Sequence, residues 1–352
     1  MSNSKKNQKN RKNLRRKKFN FTDVLVDIFP WSGDRGLEKL RKTMFLVSII
    51  VFAVCLFLVV DYFSENKKSE NLYDDLQKLY QKSDSEDESP DTPSENPNEP
   101  WRQLLVPLEG AQALLAHNPD TVGYLSIDGT KISYPLLWRS VDDNFYLEHN
   151  FYGEPAKLGA IFLDTRCDFD VVDENNMRAR SNTNNLVIYG HNAKDFSMFG
   201  QLKQYDKDPS FYGKHPIINL NSNYKMYKYK IFAVCFMNDK PSQGDVYDYQ
   251  NKLSFSTKED FYSFANELKK RSIITNEVDL KFGDQFVTLS TCSSIFSDAK
   301  LIVVGRLVRE GEDILAGTQN YSRNENVRMP DIWYKNHSGS FDESKFVPYP
   351  TR

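Results

Sequence analysis

The sequence predicts a mostly-β domain, a barrel or a sandwich with peripheral helices, preceded by one transmembrane helix. Three observations carry that prediction. Between residues 101 and 310, seven or eight short apolar runs alternate with turn residues, the pattern of an all-β fold. Residues 43–60, TMFLVSIIVFAVCLFLVV, contain no charged side chain. As a helix this run would be about 27 Å long, close to the hydrocarbon thickness of a bilayer. Charge is also partitioned across it. Residues 1–42 hold thirteen Lys/Arg against four Asp/Glu, a balance of +9, so the remainder carries −11 in a chain whose total is −2. That polarity points to two compartments rather than to a nucleic-acid partner. The positive-inside rule places the N-terminus in the cytoplasm and everything after Asp61 outside, a single-pass protein of the cell membrane.

The elements follow in order. Residues 1–20 are basic and Asn-rich, suited to an anionic lipid surface. Residues 21–40 carry Leu25, Ile28, Phe29 and Trp31, enough for a short interfacial helix. Residues 61–100 read as a stalk and linker. Positions 65–82 form a polar helix with Leu72, Leu76 and Leu79 at near-helical spacing, and 83–100, SDSEDESPDTPSENPNEP, has no hydrophobe and should be extended. The globular part spans 101–310. It opens with a helix over 104–117. A hairpin follows over 121–127 and 131–138, turning at Asp128-Gly129. Further strands are expected at 159–163, 185–189, 216–220, 225–236, 285–291 and 300–308. A helix over 257–271 interrupts them, with Phe261, Phe264, Ala265 and Leu268 on one face and Thr257 as N-cap. The tail, 311–352, is polar with scattered aromatics, and no role is legible in it.

Four cysteines are present. Cys55 lies in the apolar span; Cys167, Cys235 and Cys292 lie beyond it, an odd number that argues against a disulfide framework. Cys235, inside IFAVCFM, reads as a small core hydrophobe. Cys167 reads as a loop residue, and a Cys167–Cys235 bridge stays open. No Cys/His or carboxylate spacing suggests a metal, and no cofactor motif is present. Asp168, Asp170, Asp173 and Glu174 read as a solvated acidic loop.

The chemistry sits at two strand ends. Thr288-Leu289-Ser290-Thr291 leads to Cys292, with a polar loop directly after it. About a hundred residues earlier, Leu186-Val187-Ile188-Tyr189-Gly190 leads to His191. A thiol and an imidazole so delivered suggest nucleophilic acyl chemistry. The order, His before Cys, is the reverse of papain-like proteases. A cysteine in a strand is otherwise most often inert and buried; the polar loop after Cys292 favours the nucleophile. Of the other histidines, His117 and His215 precede Asn-Pro or Pro and read as turn residues, His337 lies in the tail, and His149 is the competitor to His191.

These motifs resemble those of the sortases. Thr288-Leu289-Ser290-Thr291-Cys292 is similar to their TLxTC signature, and Tyr189-Gly190-His191-Asn192 to their histidine motif. The segments NFYLEHNF at 144–151 and GAIFLD at 159–164, and the helix between two late strands, are similar to class B members. The resemblance covers 101–310. It implies a closed β-barrel of about eight strands and a transpeptidase. Cys292 would attack a threonine carbonyl in the C-terminal sorting signal of a secreted protein. An amine of a cell-wall peptide or a pilin would then take the acyl group from the thioester. His191 would serve as acid and base. Sortases also carry an arginine at the start of the next strand. Here Lys300 occupies that place, just before Leu301-Ile302-Val303-Val304, and Arg306 follows roughly 20 Å along the strand. The apolar run aligns with Lys300. Ser290, Ser293 and Leu147 match substrate-groove positions. Two other readings share these residues: a catalytically weak sortase-fold binding or assembly factor, motivated by Lys300, and an extracellular cysteine protease.

Overall fold

The computed structural model describes residues 21–82, 103–142 and 144–350. The expected basic tail, 1–20, and acidic linker, 83–100, lie outside the described residues. The chain divides into two compact units, Met1–Ser64 and Glu65–Arg352.

The first unit contains α1 (Phe21–Ile28) and the beginning of α2 (Gly36–Lys82). The turn between them closes on Lys42, whose Nζ donates to the Val26 carbonyl at 2.9 Å and to Asp34 at 2.8 Å. Beyond it, α2 is apolar all round. Phe52, Phe57 and Val60 are exposed, and none of the apolar stretch is buried. This helix is long and apolar enough to cross a membrane.

In the second unit the polar-stalk expectation for 65–82 is corrected. Tyr73, Leu76 and Tyr80 are buried, spaced to form one helical stripe. The leucines singled out in the sequence were only partly the right signal. Two tyrosines do the docking, because each supplies a large ring and a hydroxyl. The Tyr80 ring stacks on Tyr124 at 4.0 Å, and its hydroxyl accepts from Asn221 Nδ2 at 2.9 Å.

Next, α3 covers only Glu109–Leu115, shorter than the expected 104–117. Pro107 holds the residue before it extended. Leu105 and Leu108 donate their N–H groups to the carbonyls of Asn176 and Asn223 instead of starting a helix. The strands are β1 (Thr121–Ser126), β2 (Ser133–Leu137), β3 (Ile161–Leu163) and β4 (Asn185–Tyr189). Short helices α4 (Gln204–Lys207) and α5 (Pro209–Lys214) precede β5 (Ile217–Ser222) and β6 (Met226–Asn238). Then come α6 (Lys258–Arg271), β7 (Ile274–Thr275), β8 (Phe286–Ser293) and β9 (Ala299–Leu307). Thr257 caps α6 as expected, accepting from the Asp260 N–H at 3.1 Å.

Eight strands close into a barrel in the order β1-β2-β3-β4-β8-β9-β6-β5, so the barrel and not the sandwich is formed. The β2/β3 and β4/β8 pairs are parallel and the others antiparallel. Strand alternation sorts the side chains. Val287, Leu289, Leu301 and Val303 fill the interior. Phe286, Ile302 and Val304 point outward into a second core with Phe261, Phe264 and Leu268 of α6. A bulge between Ile231 and Ala233 of β6 turns both Phe232 and Ala233 to that outer side.

The tail is part of the domain, so the expected boundary at 310 is also corrected. Buried Lys230 Nζ donates to Glu312 Oε1 and to the carbonyls of Asp313 and Ala316. Further on, β10 (Ser322–Arg323) pairs with β7, and α7 (Asp331–Tyr334) follows. Arg328 reaches Glu267 at 3.0 Å, and Tyr349 is buried against α6. These contacts mix ion pairs, bonds to backbone carbonyls, a short strand pair and one buried ring, which leaves no hydrophobic period to read. The same is true of the acidic loop. Asp170 is buried, not solvated, because Arg178 and the Tyr227 hydroxyl both bond its carboxylate. Cys167 and Cys235 are separate free thiols, both buried. Among the described residues no cluster of potential metal ligands occurs.

Candidate active site

The site lies on the outer barrel face at the C-terminal ends of β4 and β8. These strands are parallel neighbours, with Tyr189 opposite Ser290. His191 and Cys292 each lie two residues further on, so register sets them side by side, on strands about 4.8 Å apart. Two hydrogen bonds extend the ladder to that point. The Gly190 N–H donates to the Ser290 carbonyl at 3.3 Å, and Asn192 Nδ2 to the Cys292 carbonyl at 2.9 Å. Gly190 is closely packed: a Cβ there would fall 2.4 Å from Ile161 Cδ1, so that side chain would have to shift.

His191 is oriented from both ends. Its Nε2 lies 2.8 Å from the Leu147 carbonyl, which can only accept, so Nε2 carries a proton there. Its own carbonyl accepts from the Phe199 N–H at 2.9 Å. His149 is engaged elsewhere, its Nδ1 on the Phe145 carbonyl at 2.7 Å and its ring stacked on Phe145.

Cys292 is exposed. Lys300 is its cross-strand partner on β9, and Nζ donates to Sγ at 3.5 Å. Asp239 stands on the other side of that ammonium, at 3.6 Å. Of the two cations the sequence offers, Lys300 is the one beside the thiol. Arg306 sits opposite Phe286, at the far end of β8, fully buried and paired with Glu312 and Asp279. Ser290 is 4 % exposed and shares a 2.7 Å hydrogen bond with the Tyr249 hydroxyl. It lies behind the cleft surface and anchors the segment above it, rather than lining the groove as expected. Ser293 is half-buried at the strand end, where its Oγ accepts from the Ile295 N–H at 3.3 Å.

A cleft of about 470 Å3 opens beside Lys300, with Leu147, Phe162 and Tyr189 on its walls. Its polar wall was not singled out from the sequence. Arg166 grips Asp164 through Nε at 2.8 Å and Nη2 at 2.7 Å. Arg166 also bonds Asn251 and the Gln250 carbonyl, and the Tyr189 hydroxyl donates to Asp164 at 2.9 Å. Burial alone would push the Asp164 carboxyl up. The Arg166 and Tyr189 hydrogen bonds outweigh it and hold the group below its ordinary range. The only sequence signal was an acid and a base two residues apart just after a strand. A larger groove, about 760 Å3, lies between the docked end of α2 and strands β1 and β5, away from the thiol.

Comparison with known proteins agrees with this geometry. The sortase domain model matches residues 170–308. Sortase B of Listeria monocytogenes is 32 % identical over 272 residues, 76 % of this chain and 97 % of that protein. Sortase B of Staphylococcus aureus is 27 % identical over 270 residues, 76 % of this chain and 95 % of that protein. Among solved structures, sortase B from B. anthracis in complex with AAEK1 superposes with a TM-score of 0.55 at 27 % identity, covering 70 % of this chain and all of that one. A Staphylococcus aureus sortase B–substrate complex gives 0.55 at 26 %, with the same coverage. With that identity across nearly the whole of a curated sortase B, and with the same barrel, the chain belongs to the sortase family and, within it, to the class B cysteine transpeptidases.

Proposed function

We propose that this protein is a membrane-anchored transpeptidase in which Cys292 is the acyl carrier, His191 the acid–base and Lys300 the electrostatic partner. The observation that carries the reading is the Lys300 ammonium 3.5 Å from the Cys292 thiol, with His191 two residues past the end of the neighbouring strand β4. The thiolate is the nucleophile, and the Cys292 proton passes to His191 Nδ1, whose Nε2 already holds one on the Leu147 carbonyl, so the reacting pair is thiolate and imidazolium. The thiolate adds to the scissile carbonyl of a C-terminal sorting signal. As the tetrahedral adduct collapses, the C–N bond breaks and His191 Nδ1–H protonates the departing amine. The acyl group is left as a thioester. An incoming amine then gives its proton to the now neutral Nδ1, attacks the thioester, and expels the Cys292 thiolate. In both steps Lys300 faces the charge that moves between sulfur and the oxyanion.

A secreted protein with a sorting signal is the proposed acyl donor, in line with the substrate complex of the Staphylococcus aureus relative. A cell-wall peptide or pilin amine is the proposed acceptor; a sortase B has been solved in complex with triglycine, which offers such an amine. Residues 1–42 are assigned to the cytoplasm and 43–60 to the bilayer, which puts the barrel on the outer surface.

Turnover of a sorting-signal peptide with triglycine tests the reading. Cys292→Ala is expected to abolish it, and His191→Ala to lower it about 10²- to 10⁴-fold, with the melting temperature kept in both. Product must be the triglycine adduct; hydrolysis alone would instead mark a protease. Full activity in Cys292→Ala would overturn the assignment.

A further inference from the structure

We propose that Tyr73, on the barrel-docked part of α2, is a positioning residue for His191. This rests on the reading of His191 as the acid–base.

Two routes lead from the one side chain to the two atoms that orient the imidazole. The first runs through its hydroxyl. Tyr73 is buried, and its OH donates to the Gly159 carbonyl at 2.8 Å. Gly159 has φ +55°, a conformation suited to glycine. Its α-carbon is pressed against the segment below: a Cβ there would fall 2.4 Å from the Tyr146 carbonyl oxygen and 2.5 Å from that of Leu147. The next N–H, of Ala160, donates to the Tyr146 carbonyl at 2.8 Å. The Leu147 carbonyl is the acceptor that fixes His191 Nε2. Fixing Gly159 therefore fixes the acceptor that sets the tautomer of the imidazole.

The second route runs through the ring. Tyr73 meets Tyr134 edge-on, with centroids 5.2 Å apart. The Tyr134 hydroxyl accepts from the Met198 N–H at 2.8 Å, and Met198 is bridged to Asn192. The adjoining N–H, of Phe199, holds the His191 carbonyl. Both the side-chain partner and the backbone of His191 thus rest on layers that Tyr73 supports. The first route does not reach Cys292, and the second meets only its backbone carbonyl, through Asn192, so the effect falls first on proton transfer.

The test uses the full chain in detergent, with sorting-signal peptide and triglycine. Tyr73→Phe keeps the ring and removes the hydroxyl. Expected is a kcat about 5- to 20-fold lower with KM within about twofold, and a displaced limb in the pH profile of kcat/KM. Tyr80→Phe is the control. It removes another buried hydroxyl from the same helix, one that accepts from Asn221 on β5 and whose ring stacks on Tyr124 of β1. It should leave kcat and the pH profile as in the parent. An unchanged profile in Tyr73→Phe, or equal changes in both variants, overturns the proposal. If Tyr73→Phe yields no folded protein, Tyr134→Phe cuts the second route and must displace the same limb. His191→Ala is measured alongside. If it is inactive while Tyr73→Phe behaves as the parent, only this inference falls; if it turns over normally, the reading of His191 falls with it.

Discussion

Lys300 stands directly across the strand pair from Cys292, and it differs from arginine in a way that can be measured. An ammonium is a point charge with three rotatable donors, without the planar fork of a guanidinium. It can sit between Cys292 and Asp239 at 3.5 and 3.6 Å and serve sulfur and oxyanion in turn. Lys300→Met should lower kcat/KM about 10²- to 10³-fold, the usual loss for an oxyanion donor. Lys300→Arg should stay within about tenfold of the parent, as the charge is retained. Steady-state kinetics on both variants check this. The thiols give a second expectation at this scale. Burial pushes Cys167 up to about 12 and Cys235 higher still, and both are enclosed. Iodoacetamide at neutral pH should therefore mark Cys292 and spare those two, and turnover should fall in step with the Cys292 adduct found by peptide mapping.

Among the elements, the connection from β6 to β8 decides what the site looks like. It is pinned to the outer face of the barrel by polar contacts in sequence. Asn185 donates to the Lys252 carbonyl at 2.9 Å, Thr288 donates to Asn185 at 2.8 Å, and Tyr249 shares a hydrogen bond with Ser290. Arg166 then clasps the same connection at Gln250 and Asn251. The clasp is only as firm as the Asp164 carboxylate behind it. Because the folded pKa of Asp164 is depressed, its contribution is complete above the ordinary carboxylate range, about 3.9, and is lost as pH falls through the lower folded value. Urea midpoints should be flat from neutral pH to about 5 and drop below about 4. Asp164→Asn should start lower and lose part of that drop. A variant with the same acid limb as the parent would show that the clasp lies elsewhere.

At the scale of the whole domain, the residues after 310 act as a strap anchored on buried charge. Lys230 and Arg306 are both fully buried and share the Glu312 carboxylate. The Arg306 hydrogen bond in particular holds that carboxyl far below its usual range. Glu312→Gln leaves two buried cations short of a counter-charge, a loss of about 3–5 kcal/mol, to be read as a lower urea midpoint at neutral pH. This strap also marks where sequence reading ran out. The barrel strands and α6 were legible because they alternate or repeat in apolar side chains, and Cys292 and His191 because they end such runs. The docking of Tyr73 and Tyr80, the burial of Asp170, the Arg166 clasp and the strap each depend on at least one polar partner 57 to 141 residues away. No local period records such pairs.

The parallel pairing of β4 with β8 also sets when the activity can arise. The Asn192–Cys292 hydrogen bond joins residues 100 positions apart, and Lys300 arrives on the strand after that. Long-range pairings of this kind form late, since a large loop must close before any contact rewards it. A nascent chain that has emerged only as far as β4 carries an imidazole with no thiol beside it. One that stops short of β9 carries a thiol with no cation. On the proposed roles, activity therefore waits until β9 has been made and the barrel has closed, and the first turnover would report that closure.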